Sequence, residues 1–227
     1  MEQFSRTIKI IGEEPIQQMQ QKKVAILGLG GVGSYVVEAL CRAGIGNLVL
    51  VDHDVVDITN INRQLYALHS TVAKKKVEIA KARCLDINPN IHIECFDMFY
   101  LPGEDKEYIL EGCDYVVDAI DTIKAKIALI EACNQRNIPI ISSMGTGNKL
   151  NPSLFEITTI DKTSVCPLAK VMRKELKNRG IYKTNVLYSK ELPIQTQDRT
   201  PGSISFVPSS AGLKIASFVF EQLTKGE

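Results

Sequence analysis

Gly28-Leu29-Gly30-Gly31-Val32-Gly33 follows the apolar run 24–27 and opens an amphipathic stretch. In that setting the first glycine permits a tight turn and the second lets a phosphate approach the backbone. The third lets a helix pack closely on a strand. The helix start adds N–H groups and the positive end of a dipole, which favour an anion. Asp52 lies 19 residues beyond Gly33, at the end of the next apolar run, where a carboxylate accepts from ribose hydroxyls. Gly28, Gly30, Gly31, Gly33 and Asp52 are therefore expected to bind a nucleotide; the bland alternative is a structural glycine turn.

The residues that follow narrow the chemistry. Asp52-His53-Asp54 is succeeded by Thr59-Asn60-Ile61-Asn62-Arg63-Gln64, then Lys74-Lys75-Lys76, then Asp118-Ala119-Ile120-Asp121. Hydride transfer has no use for Arg, Lys and a second acid converging on one pyrophosphate. Cleavage of a triphosphate does, because cations neutralise the charge that builds and a carboxylate holds Mg²⁺. Taken alone, 74–76 reads as a solvated helix start.

These residues need a scaffold. Apolar runs at 24–27, 47–51, 91–95, 115–117 and 138–142 alternate with helical periodicity at 34–43, 74–85 and 124–134. A short helix at 13–19 precedes them. Strands apolar on both faces between helices imply an α/β, Rossmann-like, doubly wound and mostly parallel sheet. Beyond Gly147 the rhythm changes: 164–187 is basic and loop-like, and 210–223 is a closing helix with Leu213, Ala216, Phe220 and Leu223 on one face, Val219 beside them.

The chain resembles the ubiquitin-like-protein-activating superfamily, whose bacterial members include the ThiF and MoeB adenylyltransferases. The glycine run, Asp52, Asn60-Ile61-Asn62-Arg63-Gln64, Lys76 and Asp121 fall where that family's motifs fall. The resemblance implies that Asp52 holds ribose, that Asn60, Arg63 and Lys76 contact the phosphates of ATP, and that Asp121 holds Mg²⁺ or, indirectly, the triphosphate. Phe4-Ser5-Arg6-Thr7 resembles an arm that sends an Arg into the partner's site, which implies a homodimer with Arg6 donated in trans. The paired C-x-x-C motifs of the zinc-bearing members are missing, so no zinc is expected. The segments 142–150, 167–169 and 202–209 resemble the narrower tRNA threonylcarbamoyladenosine dehydratase branch (TcdA or CsdL), and the last lies outside the shared nucleotide core.

That branch implies ATP-dependent cyclisation of threonylcarbamoyladenosine beside the tRNA anticodon. Its carboxylate is adenylated, and a nucleophile in the same base then closes a ring and releases AMP. Because that nucleophile is tethered, no enzyme thiol is needed. Residues 1–150 would be the ATP-binding adenylation core with its arm, and 151–227 an elaboration of the same domain facing the tRNA anticodon loop. The alternatives are an adenylyltransferase for a ubiquitin-like sulfur-carrier protein and a non-catalytic or redox dinucleotide-binding module. A monovalent cation and a cysteine desulfurase or sulfur-acceptor partner are left open.

The 227 residues carry 27 Lys+Arg against 26 Asp+Glu, and a net charge of +1 gives no global case for a polyanion. Hydrophobic residues make up 44% and charged ones 23%, which excludes a disordered or collagen-like chain. Locally the balance differs. Residues 162–190 hold eight cations (Lys162, Lys170, Arg173, Lys174, Lys177, Arg179, Lys183, Lys190) against Glu175, a local +7 that leaves −6 elsewhere. Such a stripe is the footprint of a phosphate backbone, or else a solvated helix over 169–178. Tyr182 and Tyr188 would stack on an unpaired base, or pack inside. Cys41, Cys84, Cys95, Cys113 and Cys133 read as buried thiols; Cys166, in a polar stretch, reads as an exposed loop residue, either a nucleophile beside Lys162 or non-catalytic. With no secretory pattern at the start and no apolar run near ~18 residues, a cytoplasmic protein without a membrane span is expected.

Overall fold

The computed structural model describes residues 2–101, 106–197 and 200–225. Its strands are β1 (Lys23–Leu27), β2 (Asn47–Val51), β3 (His92–Phe96), β4 (Tyr115–Asp118), β5 (Ile140–Ser143), β6 (Phe155–Thr159) and β7 (Asn185–Ser189). Its helices are α1 (Ser5–Ile11), α2 (Glu14–Gln21), α3 (Gly33–Arg42), α4 (Lys76–Ile87), α5 (Ile123–Arg136), α6 (Pro167–Lys177) and α7 (Phe206–Thr224). The strands form one sheet in the order β3-β2-β1-β4-β5-β7-β6. All neighbours are parallel except the edge pair β6–β7.

Strand geometry sends alternate side chains to opposite faces. Val24 and Ile26 of β1 join one apolar layer with α2, α3, α4 and α7, while Ala25 and Leu27 join a second with α5 and α6. All four are fully buried, which is why β1 reads as a continuous apolar run rather than an alternating one. The expected α/β doubly wound sheet is present. The order reverses between β1 and β4, so a crevice opens there beyond the carboxyl ends of the strands.

The C-terminal portion departs from expectation. Residues 164–187 are not loop-like but contain α6 and the start of β7, and β6 extends the same sheet. The helix offered as the alternative over 169–178 is present as α6, but one face of it is buried, through Ala169, Met172 and Leu176 at i, i+3, i+7. β6 was not anticipated because, as an edge strand, it buries only Phe155 fully. In α7 the buried side is Ala211, Gly212, Ile215, Ala216 and Val219; Leu213, expected inside, is 50% exposed. Tyr188 is buried in β7, so it packs rather than stacks on a base. Tyr182 is exposed, but it precedes β7 and lies at the edge of the sheet opposite the crevice.

Leu176 is fully buried between α6 and the sheet. Leu176→Ala is expected to lower unfolding free energy by about 2–5 kcal/mol, measured by urea denaturation. A change under about 0.5 kcal/mol, typical of surface positions, would mean that α6 is not part of the core.

Candidate active site

Gly28 ends β1 with φ +89°, and a Cβ there would sit 2.6 Å from the Ala119 carbonyl oxygen. A Cβ on Gly33 would meet the Gly28 carbonyl oxygen at 1.8 Å, so α3 can begin where it does only with glycine. No side chain caps the N-terminus of α3, and the glycine turn that leads into it, Gly28, Gly30, Gly31 and Val32, lines the crevice. Behind this turn stands Asp52. Its Oδ2 accepts from the Leu29 N–H at 2.6 Å and its Oδ1 from the Asp54 N–H at 2.8 Å. The carboxylate thus ties the glycine turn to the end of β2 and keeps lone pairs for a ligand.

The resulting cavity has a volume of about 410 Å³, within the roughly 300–1,000 Å³ of small-molecule sites. Gly28, Gly30, Gly31, Asp52, Arg63, Lys76 and Asp121 line it. Gly33 supports the turn from behind. Asn60 stays in its own turn, where its Oδ1 accepts from the Asp57 N–H at 3.1 Å. Arg6 lies elsewhere, in an apolar groove formed with α3 and α7.

The charges are arranged unequally. Lys76, the first residue of α4, is 3% exposed and pairs with Asp54 at 2.7 Å, so it is no solvated helix start. Lys75 turns outward to Asp97. Arg63 donates to the Thr59 carbonyl at 2.9 Å and to Asn62 Oδ1 at 2.8 Å, but meets no carboxylate among the described residues. Asp121 accepts only from the Thr122 hydroxyl, at 3.2 Å, and no cation pairs with it there. Arg63 and the carboxylates of Asp52 and Asp121, none paired with an opposite charge among the described residues, therefore face a single cavity, a donor set that suits a polyphosphate with its metal ion.

Sequence reasoning assigned no role to several residues now seen at the site. Met98, Phe99 and Tyr100, after β3, form one wall, and the rings of His53 and Phe99 lie 3.4 Å apart. Beneath the 119–121 turn lies a fully buried network. Lys126 Nζ reaches Asp118 Oδ2 at 2.9 Å and Ser142 Oγ at 3.2 Å, while Ser142 also donates to that carboxylate. Asp118 Oδ1 accepts from the Ile120 N–H at 3.1 Å and so holds the turn that presents Asp121. The signal was an Asp and a Lys eight residues apart, which mean nothing until β4, α5 and β5 meet.

The segment 202–209, distant in sequence, packs against the glycine turn and the Arg63 turn that line the cavity. Asn62 Nδ2 donates to the Ser203 carbonyl at 3.0 Å, and a Cβ on Gly31 would lie 3.1 Å from Pro208. Asn148 Oδ1 accepts from the Gly202 N–H at 2.6 Å, joining the loop after β5 to this segment. Lys149 donates to the Glu191 carbonyl at 2.6 Å, and the Glu191 carboxylate accepts from the Leu150 and Asn151 N–H groups, both at 3.0 Å.

The cysteines stand apart. Cys41, Cys84 and Cys133 are buried, as expected, whereas Cys95 and Cys113 are half-buried. Burial pushes the Cys133 thiol up to about 12 and the Cys113 thiol up to about 11, against nucleophilic use. Cys166, expected to be exposed, is 3% exposed and packs in the layer with α5 and α6.

The sequence profile of the ThiF family matches residues 4–218, nearly the whole chain and the entire cavity. The chain belongs to the ThiF family. Within it, the tRNA threonylcarbamoyladenosine dehydratase of Bacillus subtilis (strain 168) is 44% identical over 243 residues, covering 99% of this chain and 96% of that protein. The crystal structure of E. coli tRNA N6-threonylcarbamoyladenosine dehydratase, TcdA, in complex with AMP superposes with a TM-score of 0.92 at 32% identity, over 98% of this chain and 94% of that one. The same protein in complex with ATP gives 0.92 and 32% over 98% and 93%. These matches take in the C-terminal portion, so the chain sits in the dehydratase branch of the family, as the segments 142–150, 167–169 and 202–209 implied.

Lys126→Met strands the Asp118 carboxylate in the core and is expected to cost about 3–5 kcal/mol in chemical denaturation, with weaker ATP binding as the 119–121 turn loosens. Removing both charges, as Lys126→Met with Asp118→Leu, is expected to recover most of the stability but not the binding. Full stability in the single variant would sink this account of the turn.

Proposed function

We propose that this chain catalyses the ATP-dependent dehydration of threonylcarbamoyladenosine next to the tRNA anticodon, closing it to a ring. The observation that carries the reading is the contact of the dehydratase-like segment 202–209 with the glycine turn and the Arg63 turn, through Pro208 and Ser203. The segment that would set substrate specificity then packs directly behind the turns that line the nucleotide cavity. The substrate carboxylate attacks the α-phosphate of ATP and expels pyrophosphate. A nucleophile of the same base next attacks the acyl-adenylate carbon, and AMP departs carrying one carboxylate oxygen. The net change is the loss of water.

In this reading the α3 N-terminus and the backbone at Gly30 and Gly31 hold phosphate, and Asp52 receives the ribose hydroxyls beside its two N–H contacts. Arg63 and Lys76 neutralise the charge that develops at phosphorus. Asn60 offers its amide N–H groups, since its oxygen is committed to the turn. Asp121 would hold Mg²⁺, which when bound screens the triphosphate charge.

Arg6 belongs to the same proposal through a second copy of the chain. It lies on an apolar groove with Ile10, Leu213 and Phe220, away from the chain's own cavity. Ile10 is 84% exposed there, an apolar face that a homodimer would cover. The partner's Arg6 would then complete the cationic set. No helix of the described residues is long and apolar enough to cross a membrane, and a cytoplasmic tRNA-modifying enzyme is the reading that follows.

Incubation with ATP and tRNA carrying threonylcarbamoyladenosine is expected to give a nucleoside lighter by one water, with AMP and pyrophosphate released, detected by mass spectrometry of digested tRNA. Pyrophosphate release that requires a carrier protein and ignores tRNA would overturn the proposal. Separately, Cys166→Ser is expected to leave ring closure within about twofold of the parent, because the thiol is packed inside and the nucleophile is tethered. Loss of the tRNA product with retained fold would make Cys166 part of the chemistry.

A further inference from the structure

The eight cations of residues 162–190 are not equivalent in the fold. Arg179 pairs with Glu131 at 3.1 Å and with Glu175 at 2.9 Å. Lys190 pairs with Glu156, and Arg173 donates to the carbonyl and hydroxyl of Thr163. Lys162 and Lys183 interact with Asp161. Lys170, Lys174 and Lys177 remain. All three are exposed, and none has an acidic partner among the described residues.

They also share one face. At 100° per residue the three positions of α6 fall within an arc of about 60°, and at 1.5 Å per residue they step by about 6 Å and then 4.5 Å along the axis. Three like charges in a row repel one another; the helix dipole favours Lys174 and Lys177 in the last turn of α6 but gives no reason for Lys170 to extend the row. The buried side of α6 is carried by Ala169, Met172 and Leu176 instead.

The row starts near the active site. A Cβ on Gly145 would lie 4.0 Å from both Cys166 Sγ and Leu168 Cβ, so the first turn of α6 abuts the loop that leaves β5. β5 neighbours β4, whose end leads into Asp121. α6 therefore begins at the crevice edge, and Lys170, Lys174 and Lys177 descend the flank from it. Their steps are comparable with the separation of successive phosphates on one strand.

We propose that Lys170, Lys174 and Lys177 form a docking rail for the phosphate backbone of the tRNA anticodon stem, holding the tRNA while its modified base occupies the cavity. The inference rests on the dehydratase reading above. Charge complementarity commits the face to RNA: three unpaired ammonium groups, no acid among them, on a helix leading from the site of the base.

The test compares the parent with the triple variant Lys170→Gln, Lys174→Gln, Lys177→Gln, titrating tRNA at several salt concentrations and measuring turnover. Each lost phosphate contact removes about 0.7–0.9 from the slope of log affinity against log salt, so the slope is expected to flatten by about two to three. Affinity at low salt is expected to fall at least tenfold, and KM for tRNA to rise in step, with kcat at saturating tRNA and ATP affinity unchanged. The corresponding triple Lys→Arg variant is expected to restore the slope. An unchanged slope and KM in the Gln variant, in an enzyme that still dehydrates tRNA, overturns the rail alone. A parent enzyme that does not act on tRNA overturns the underlying reading, whatever the variant does.

Discussion

One carboxylate joins the two halves of the nucleotide site. Asp52 sits at the end of β2, yet both of its oxygens accept backbone N–H groups, one from the glycine turn and one from its own strand end. Buried acceptors must be satisfied, and Asp52 meets that demand with the groups it needs to position. The turn can close on it because a side chain on Gly28 or Gly33 would collide with backbone. The glycine turn and the carboxylate at the end of β2 are therefore set by a single arrangement rather than by two independent ones.

The other wall depends on a different device. Asp121 lies exposed at the mouth, while three residues earlier Asp118 lies fully buried with Lys126 and Ser142. Burying an ion pair is a poor way to gain stability, but it fixes geometry, and here it fixes the turn from which Asp121 projects. The Gly202–Ser203 segment ties the loop after β5 to the Arg63 turn by pairing with Asn148 on one side and Asn62 on the other. Residues some 140 positions apart thus meet beside the turns that line the cavity.

Much of this was legible from local pattern. The strands β1, β2, β4 and β5 announced themselves because burial on both faces leaves uninterrupted apolar runs, and the edge strand β3 by its alternation around Ile91 and Ile93. The cavity-lining residues were legible for a related reason: glycines that cannot be replaced, and charges at strand ends. Where pattern failed, competing forces were at work. In α6, Lys and Arg crowd the sequence because only three positions face the core. In β6, an edge position removes the need for apolar residues. Cys166 stands among polar neighbours yet points inward at the start of α6, and a short segment carries no signal for the direction of one side chain.

The amino-acid order by itself determined the α/β scaffold and the class of ligand, since strand burial and glycine geometry are local properties written in residue type. It also carried the family membership, through motifs on both sides of the fold. Tertiary structure decided which charges act. Lys76 became a buried cavity residue, Lys75 a surface pair, and the undivided stripe of eight cations resolved into five that are engaged and three that stand free. Charge is fixed by residue type, but its availability depends on which acids the fold brings within a few ångströms, and no linear reading supplies those distances.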